Sequence, residues 1–200
     1  MRKKYLFIIL LSIYVVGCIS SSRKQYFQLH MEVSGREAKL HEAEPEWDKT
    51  IRIEPVAVED IYNDYRIVYR TSPYRLNYYS YSFWIKKPGK VVRDALYDYF
   101  VKTNIFKKVT FEFVEGDPDY TLSARVNILE EYDLKHVWFA HLKMVIEIKD
   151  FKSGETLVFH RFDSRRRLLE RKVERVPAAI SKILKDELAK VVEQFRAKVK

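Results

Sequence analysis

The sequence predicts one α/β domain of the α+β sandwich type, in which two α-helices pack on a single mixed, mostly antiparallel β-sheet. Two patterns carry this prediction. Several segments alternate apolar and polar residues with the period of two that marks half-buried strands, and two others repeat apolar residues at helical spacing close to a proline. A chain of 200 residues, of which 47% are hydrophobic, is large enough to bury a core.

The first half of the chain contains strand patterns separated by turn residues and ends in a helix pattern. Strands are expected at residues 26–33, 50–58, 65–71 and 76–85, with a polar loop over 34–48. Pro88 is expected to begin a helix that runs to about residue 103, where Asn104 is a suitable stop. The stripe of this helix that should face the sheet is formed by Val92, Leu96, Tyr99 and Phe100.

The second half contains the clearest strand pattern. Residues 120–128 alternate apolar and polar side chains, and residues 142–148 repeat the alternation. Further strands are expected at 107–114 and at 155–162, the second after a hairpin turn at residues 152–154. Pro177 should open a final helix that reaches about residue 198, and its stripe is formed by Val176, Ile180, Leu184, Leu188, Val191 and Phe195.

The amino-terminal segment has the features of a signal peptide. A basic start, Arg2-Lys3-Lys4, precedes an apolar run over residues 5–16 that is too short for a stable transmembrane helix. The tetrad Val15-Val16-Gly17-Cys18 resembles a bacterial lipobox. The resemblance implies cleavage after Gly17, a diacylglyceride on the Cys18 sulfur and usually an N-acyl chain on the new amino terminus. An uncleaved anchor with an incidental cysteine is the alternative.

This leader divides the chain into a cleaved signal peptide at 1–17, a lipidated tether at 18–23 and one domain at 24–200. Ile19 stands where an Asp commonly retains such lipoproteins at the inner membrane, so the periplasmic face of the outer membrane is expected. Removal of the three leader cations lowers the formal net charge from +9 to +6. That excess suits an anionic lipid surface or an acidic partner, and nucleic acid is a poor candidate because the chain is exported.

Motifs for catalysis are absent from the sequence. It has neither a Gly-rich phosphate loop nor a Gly-x-Ser-x-Gly elbow. His136 and His141 are five apart and should lie on opposite faces of a strand, as should the adjacent Glu130 and Glu131. We therefore expect a protein that is not an enzyme, with no metal and no cofactor beyond the acyl groups on Cys18.

Two groups of side chains are candidate contact surfaces. An aromatic hairpin supplies candidates for a protein partner, namely Tyr78, Tyr79, Tyr81 and Trp84. A basic run supplies candidates for lipid headgroups or an acidic partner, namely Arg165, Arg166 and Arg167. The alternatives are an ordinary aromatic sheet surface for the first group and a solvated charged surface for the second.

The serial order of short segments resembles the ABC-type transport auxiliary lipoproteins, which accompany lipid-trafficking systems of the MCE type. The matching segments are residues 53–56, 67–70, 81–84, Pro88, 92–100, 106–109, 119–122 and 150–154. The resemblance implies a membrane-anchored, non-catalytic binding or scaffold component, with an MCE-domain protein and ABC transporter components as partners. Homo-oligomerisation is left open. A structural lipoprotein of another outer-membrane assembly or polysaccharide export machine is the main alternative, and a periplasmic hydrolase is disfavoured.

Overall fold

The computed structural model describes residues 23–32, 44–111, 116–134 and 137–199. It contains nine strands and two long helices in these ranges. The strands are β1 (Gln25–Phe27), β2 (Trp47–Ile53), β3 (Ala57–Val58), β4 (Arg66–Ser72), β5 (Arg75–Trp84), β6 (Phe106–Thr110), β7 (Tyr120–Leu134), β8 (Val137–Asp150) and β9 (Thr156–Leu168). The helices are α1 (Pro88–Thr103) and α2 (Arg175–Lys198), and a short 3-10 turn spans Asp60–Tyr62. The predicted cleavage site, Gly17 and Cys18, lies outside the described residues.

Strand β7 organises the sheet. One of its edges forms a long antiparallel ladder with β8, which in turn pairs antiparallel with β9. Its other edge is shared by β2, β3 and β4, which pair with it in parallel one after another. Beyond them, β6 extends the sheet from β2, and β5 and β1 extend it from β4. The long antiparallel ladders provide most of the paired length, so the mixed, mostly antiparallel sheet is confirmed.

Both helices pack on the same face of this sheet. The ring of Phe106 on β6 contacts Phe100 of α1 at a centroid distance of 5.7 Å and Phe195 of α2 at 5.4 Å. Leu96 and Leu184, which were expected to face the sheet, are fully buried. The α+β architecture predicted from the sequence is therefore confirmed. No helix among the described residues is long and apolar enough to span a membrane.

The helix bounds agree closely with the prediction. Helix α1 ends where expected because Asn104 adopts the left-handed conformation, with φ of 47°. Helix α2 begins two residues before Pro177, which therefore sits in the first turn rather than at its start. Gly89 is needed in α1 because a Cβ there would lie 2.7 Å from the Val56 carbonyl oxygen.

The strands differ more from their predicted bounds. Strands β7 and β9 continue to residues 134 and 168. In β7 the clean alternation ends near residue 128 because a bulge near Asn127 shifts the phase of the pattern. The single strand expected at 50–58 is divided into β2 and β3 on either side of Pro55, which lacks an N–H for the ladder. The first strand is only three residues long, and residues 28–32 continue without strand pairing.

The segment after β1 lies against both helices. Leu29 and Met31 are buried in the core. The Met31 carbonyl accepts a hydrogen bond from Lys102 of α1, and the Glu32 carbonyl accepts one from Lys185 of α2. These contacts fix the point at which the chain enters the domain.

Candidate functional site

Beside β3, the face of β7, β8 and β9 opposite the helices is open to solvent among the described residues. Because successive side chains alternate between faces, residues paired across this ladder point away from the helices together. They form a trough of about 920 Å³ between the β7–β9 face and the segment around β3. Its lining includes Ala57, Glu59, Arg125, Ile128, Lys143, Val145, Glu147, Phe159 and Arg161. We call this surface the open face.

The open face combines an apolar strip with cationic side chains. Phe159 is 57% exposed, and Val145 and Ile128 are half-buried beside it. The Arg161 guanidinium lies 5.8 Å from the centre of the Phe159 ring. Arg125 lies 3.6 Å from Glu59, an exposed ion pair that contributes little to stability. An exposed aromatic ring beside exposed cations is a composition suited to binding a partner.

A buried polar network lies on this same face, beside the trough. The Glu130 carboxylate is fully buried and accepts hydrogen bonds from the Tyr62 hydroxyl at 2.7 Å and the Arg70 guanidinium at 2.7 Å. His141 Nδ1 lies 3.4 Å from Glu130, while its Nε2 contacts Asp163 at 2.7 Å. Burial by itself would raise the pKa of Glu130, but the contacts from His141, Arg70 and Tyr62 outweigh it and hold that pKa below its ordinary value.

Glu131 points to the opposite face. Its carboxylate accepts a hydrogen bond from the Tyr79 hydroxyl at 2.9 Å. Burial, reinforced by nearby Asp133, raises the pKa of Glu131 although the Tyr79 hydrogen bond opposes this. The neighbouring glutamates are therefore on different faces and do not form an acid–base pair, as the sequence spacing predicted.

A second buried network holds helix α2 on the sheet. Glu187 Oε2 lies 2.8 Å from His160 Nε2, and Glu187 Oε1 accepts a hydrogen bond from the Ser164 hydroxyl at 2.9 Å. Gln194 contacts the other ring nitrogen of His160 at 3.1 Å. These groups satisfy one another's hydrogen-bonding capacity, so they act as structural contacts. Within the described ranges there is no cluster of three or more His, Cys, Asp or Glu side chains that could hold a metal ion.

The aromatic candidates do not share one surface. Trp84 is 2% exposed and belongs to the core, so it is not available to a partner. The Tyr78 and Tyr79 hydroxyls donate hydrogen bonds to the Ile61 carbonyl and to Glu131, and both rings are half-buried. Tyr81 is 50% exposed. Trp84 and Tyr81 differ in exposure because they lie on opposite sides of the same strand.

The three arginine candidates are also divided between faces. Arg166 points to the helix side and pairs with Asp186 of α2. Arg165 and Arg167 point to the open side, where the Arg165 guanidinium lies 4.9 Å from the centre of the Tyr132 ring. Because the three consecutive arginines alternate between the two sides of one strand, they do not form a single basic surface. His136, which was paired with His141 in the sequence argument, lies outside the described residues.

Sequence reasoning missed Phe159, although it included its neighbour Arg161 in the basic run. Residues 155–162 were recognised as a strand, and Val158, His160 and Phe162 do point to the core. Phe159 is out of phase with them, so it had to be exposed on the other side of the strand. An aromatic residue on the polar side of an alternating strand was the signal that could have identified the open face.

These features define a class of protein: an α+β domain whose helices cover one side of a sheet and, in the part of the chain that the structure describes, leave an aromatic and basic stretch of the other side exposed. The chain belongs to the ABC-type transport auxiliary lipoprotein component family, whose model matches residues 27–192. The family expected from the serial order of segments is thereby confirmed.

Two solved structures share this fold. Protein XCC0632 from Xanthomonas campestris, of the family DUF330, is 16% identical, with a TM-score of 0.69, and the match covers 84% of this chain and 92% of that one. An uncharacterized protein is 14% identical with a TM-score of 0.66, covering 86% of this chain and 98% of the other. At these identities the likeness supports the fold alone. A comparison with curated proteins returned no match.

Proposed function

We propose that this protein is a lipid-anchored, non-catalytic binding component of an MCE-type lipid-transport system, and that it holds an MCE-domain protein or an ABC component through the open face. The observation that carries the proposal is the open face itself, where Phe159, Arg161 and Arg125 are presented on a hydrogen-bonded ladder that no helix of the described residues covers. The family name states a role in transport but no substrate. The proposal adds lipid as the substrate class.

A tether suits such a role physically. Two or three acyl chains on Cys18 would hold the domain firmly at a membrane, since each buried methylene contributes about 0.8 kcal/mol. Confinement to a surface raises the local concentration of the domain near a partner that bridges the envelope, so a modest contact area is sufficient. With Ile19 after the cysteine, the periplasmic face of the outer membrane is the proposed location.

The buried networks support binding rather than catalysis. The polar groups beside the trough, Glu130 and His141, are engaged with Tyr62, Arg70 and Asp163. Their hydrogen bonds hold the ladder that presents the open face. The open face is therefore proposed to bind a partner through its shape and charge.

The test is recovery of partners from crosslinked envelopes with the tagged, lipidated protein. The paired change Phe159→Ser and Arg161→Ser should reduce recovery of an MCE-domain or ABC component, because it removes the exposed ring and the cation over it. Tyr74→Ser is the matched control, since Tyr74 is a 97% exposed aromatic residue in the β4–β5 turn. Tyr79→Ser is unsuitable as a probe because it would also disturb Glu131.

Two outcomes would contradict the proposal. Recovery of a different envelope assembly by the unmodified protein, with neither an MCE-domain nor an ABC component, would refute the function and favour the outer-membrane or polysaccharide export alternative. Equal recovery by the unmodified protein and the Phe159/Arg161 variant would refute the open face as the contact surface while leaving the partner in place.

A further inference from the structure

A second exposed aromatic group lies at the sheet edge where the chain enters the domain. Tyr26 on β1 is in register with Phe83 on β5, and their ring centroids are 5.7 Å apart. Tyr81 precedes Phe83 by two residues and Ile85 follows it by two, so all three alternate with buried Ser82 and Trp84. We call the four residues Tyr26, Tyr81, Phe83 and Ile85 the aromatic corner.

The aromatic corner is exposed and surrounded by cations. Tyr26, Tyr81 and Ile85 are 61%, 50% and 54% exposed. The Lys24 ammonium lies 5.7 Å from the centre of the Phe83 ring. Further cations at this edge are Arg23, Arg66, Lys86 and Lys87, of which Arg66 pairs with Asp64 and Lys86 with Asp94.

The distance from the lipidation site restricts where this corner can be. Cys18 precedes Arg23 by five residues, and a fully extended chain covers at most about 3.6 Å per residue, or roughly 18 Å in all. Strand β1 begins two residues further along and is hydrogen-bonded to β5. The hydrogen bonds from Lys102 and Lys185 to carbonyls of residues 31 and 32 then hold the segment that follows. An anchor on Cys18 therefore keeps the aromatic corner within a short distance of the bilayer surface.

We propose that the aromatic corner docks on the bilayer surface beside the lipid anchor on Cys18, and so fixes the orientation of the domain; this rests on the anchor of the proposed function. Tyrosine rings suit this position because one end is apolar and the hydroxyl end can remain in the hydrated headgroup layer. Arg23 and Lys24 complement anionic headgroups. The exposed ring of Phe159 lies near the start of the edge strand β9, at the far end from Glu174, which follows that strand and accepts a hydrogen bond from Gln25 of β1.

The experiment supplies the anchor chemically, so it does not depend on acylation in the cell or on the identity of a partner. The chain from Cys18 to Lys200 is produced without its leader and coupled through its only cysteine to a maleimide lipid in vesicles containing phosphatidylglycerol. Hydrogen exchange is measured by mass spectrometry and compared with the same chain capped by N-ethylmaleimide in solution. Peptides that cover residues 24–28 and 80–86 report on the corner, and peptides that cover 152–160 report on the far edge.

The proposal expects slower exchange on vesicles at 24–28 and 80–86 and unchanged exchange at 152–160. The paired change Tyr26→Ser and Tyr81→Ser should abolish this protection, whereas Phe159→Ser should retain it. Vesicles of phosphatidylcholine alone should give weaker protection because the basic residues lose their anionic partners. Absence of protection at the corner, equal protection of both edges, or protection that survives the tyrosine changes would each overturn the proposal.

Discussion

Phe195 offers the sharpest test of how α2 is held on the sheet. Its ring is 1% exposed and contacts three other rings, Trp47 at 4.9 Å, Tyr120 at 5.0 Å and Phe106 at 5.4 Å, all between centroids and all at steep interplanar angles. These partners come from β2, β7 and β6, so one side chain joins the end of α2 to three strands.

We expect Phe195→Ala to lower the free energy of unfolding by about 4 kcal/mol, since burial and the residual cavity cost about 3–5 kcal/mol for such a ring. Phe195→Leu keeps most of the side-chain volume and should cost only about 1–1.5 kcal/mol. This smaller loss measures mainly the edge-to-face ring contacts, because little cavity is created. With a urea slope of about 2 kcal/mol per M, the alanine change should lower the midpoint by about 2 M.

The assay is urea unfolding of the mature chain carrying Cys18→Ser, followed by circular dichroism. Phe159→Ala is the matched control, because that ring is 57% exposed and its loss should cost less than about 0.5 kcal/mol. A loss below about 1 kcal/mol for Phe195→Ala, or equal losses at the two phenylalanines, would refute the packing described for α2.

Three further predictions follow from burial, charge and the leader. Leu96→Ala and Leu184→Ala should each cost about 2–5 kcal/mol in the same urea assay, since both side chains are fully buried, and losses under about 0.5 kcal/mol would contradict their placement. Glu130 has a lowered pKa, so its ionised form stabilises the fold above about pH 4.3, and this stabilisation is lost on acidification. Glu131 has a raised pKa, so its ionisation destabilises the fold as the pH rises above about 4.3. Glu130→Gln should therefore lower the free energy of unfolding at pH 7, and Glu131→Gln should raise it. Urea unfolding at pH 7 that changes this free energy in the same direction for both variants would show that the two environments are wrongly assigned. Cys18→Ala should abolish incorporation of a clickable fatty acid in growing cells, and equal labelling of both proteins would refute lipidation at that residue.

Local patterns in the sequence were sufficient for the elements and for the two helix faces. The proline near the start of each helix, the stop at Asn104 and the stripes through Leu96 and Leu184 depend only on neighbours along the chain, and each lies where it was expected. The alternation over residues 120–128 likewise identified the central strand. The leader and lipobox are also local signals, and lipidation of Cys18 remains a prediction.

The tertiary structure decided which side chains reach the surface. Strand alternation says that Tyr81 and Trp84 point in opposite directions, but it does not say which direction is covered by helices. Strand alternation likewise separates Arg166 from Arg165 and Arg167, but which of them faces the helices depends on where α2 packs. The exposure of Phe159 depends on the same packing.

The pairing of strands across the sheet could not be predicted from the sequence, for a related reason. The parallel contacts of β2, β3 and β4 with one edge of β7 join residues that are about 60 or more positions apart, and hydrophobic periodicity contains no information about such partners. The buried position of Glu130 depends on that pairing, since Arg70 and Tyr62 reach it from segments brought together only by the folded sheet. The sequence by itself therefore determined the elements, the inward faces of the two helices and the family, whereas the sheet order, the open face and the aromatic corner required long-range packing.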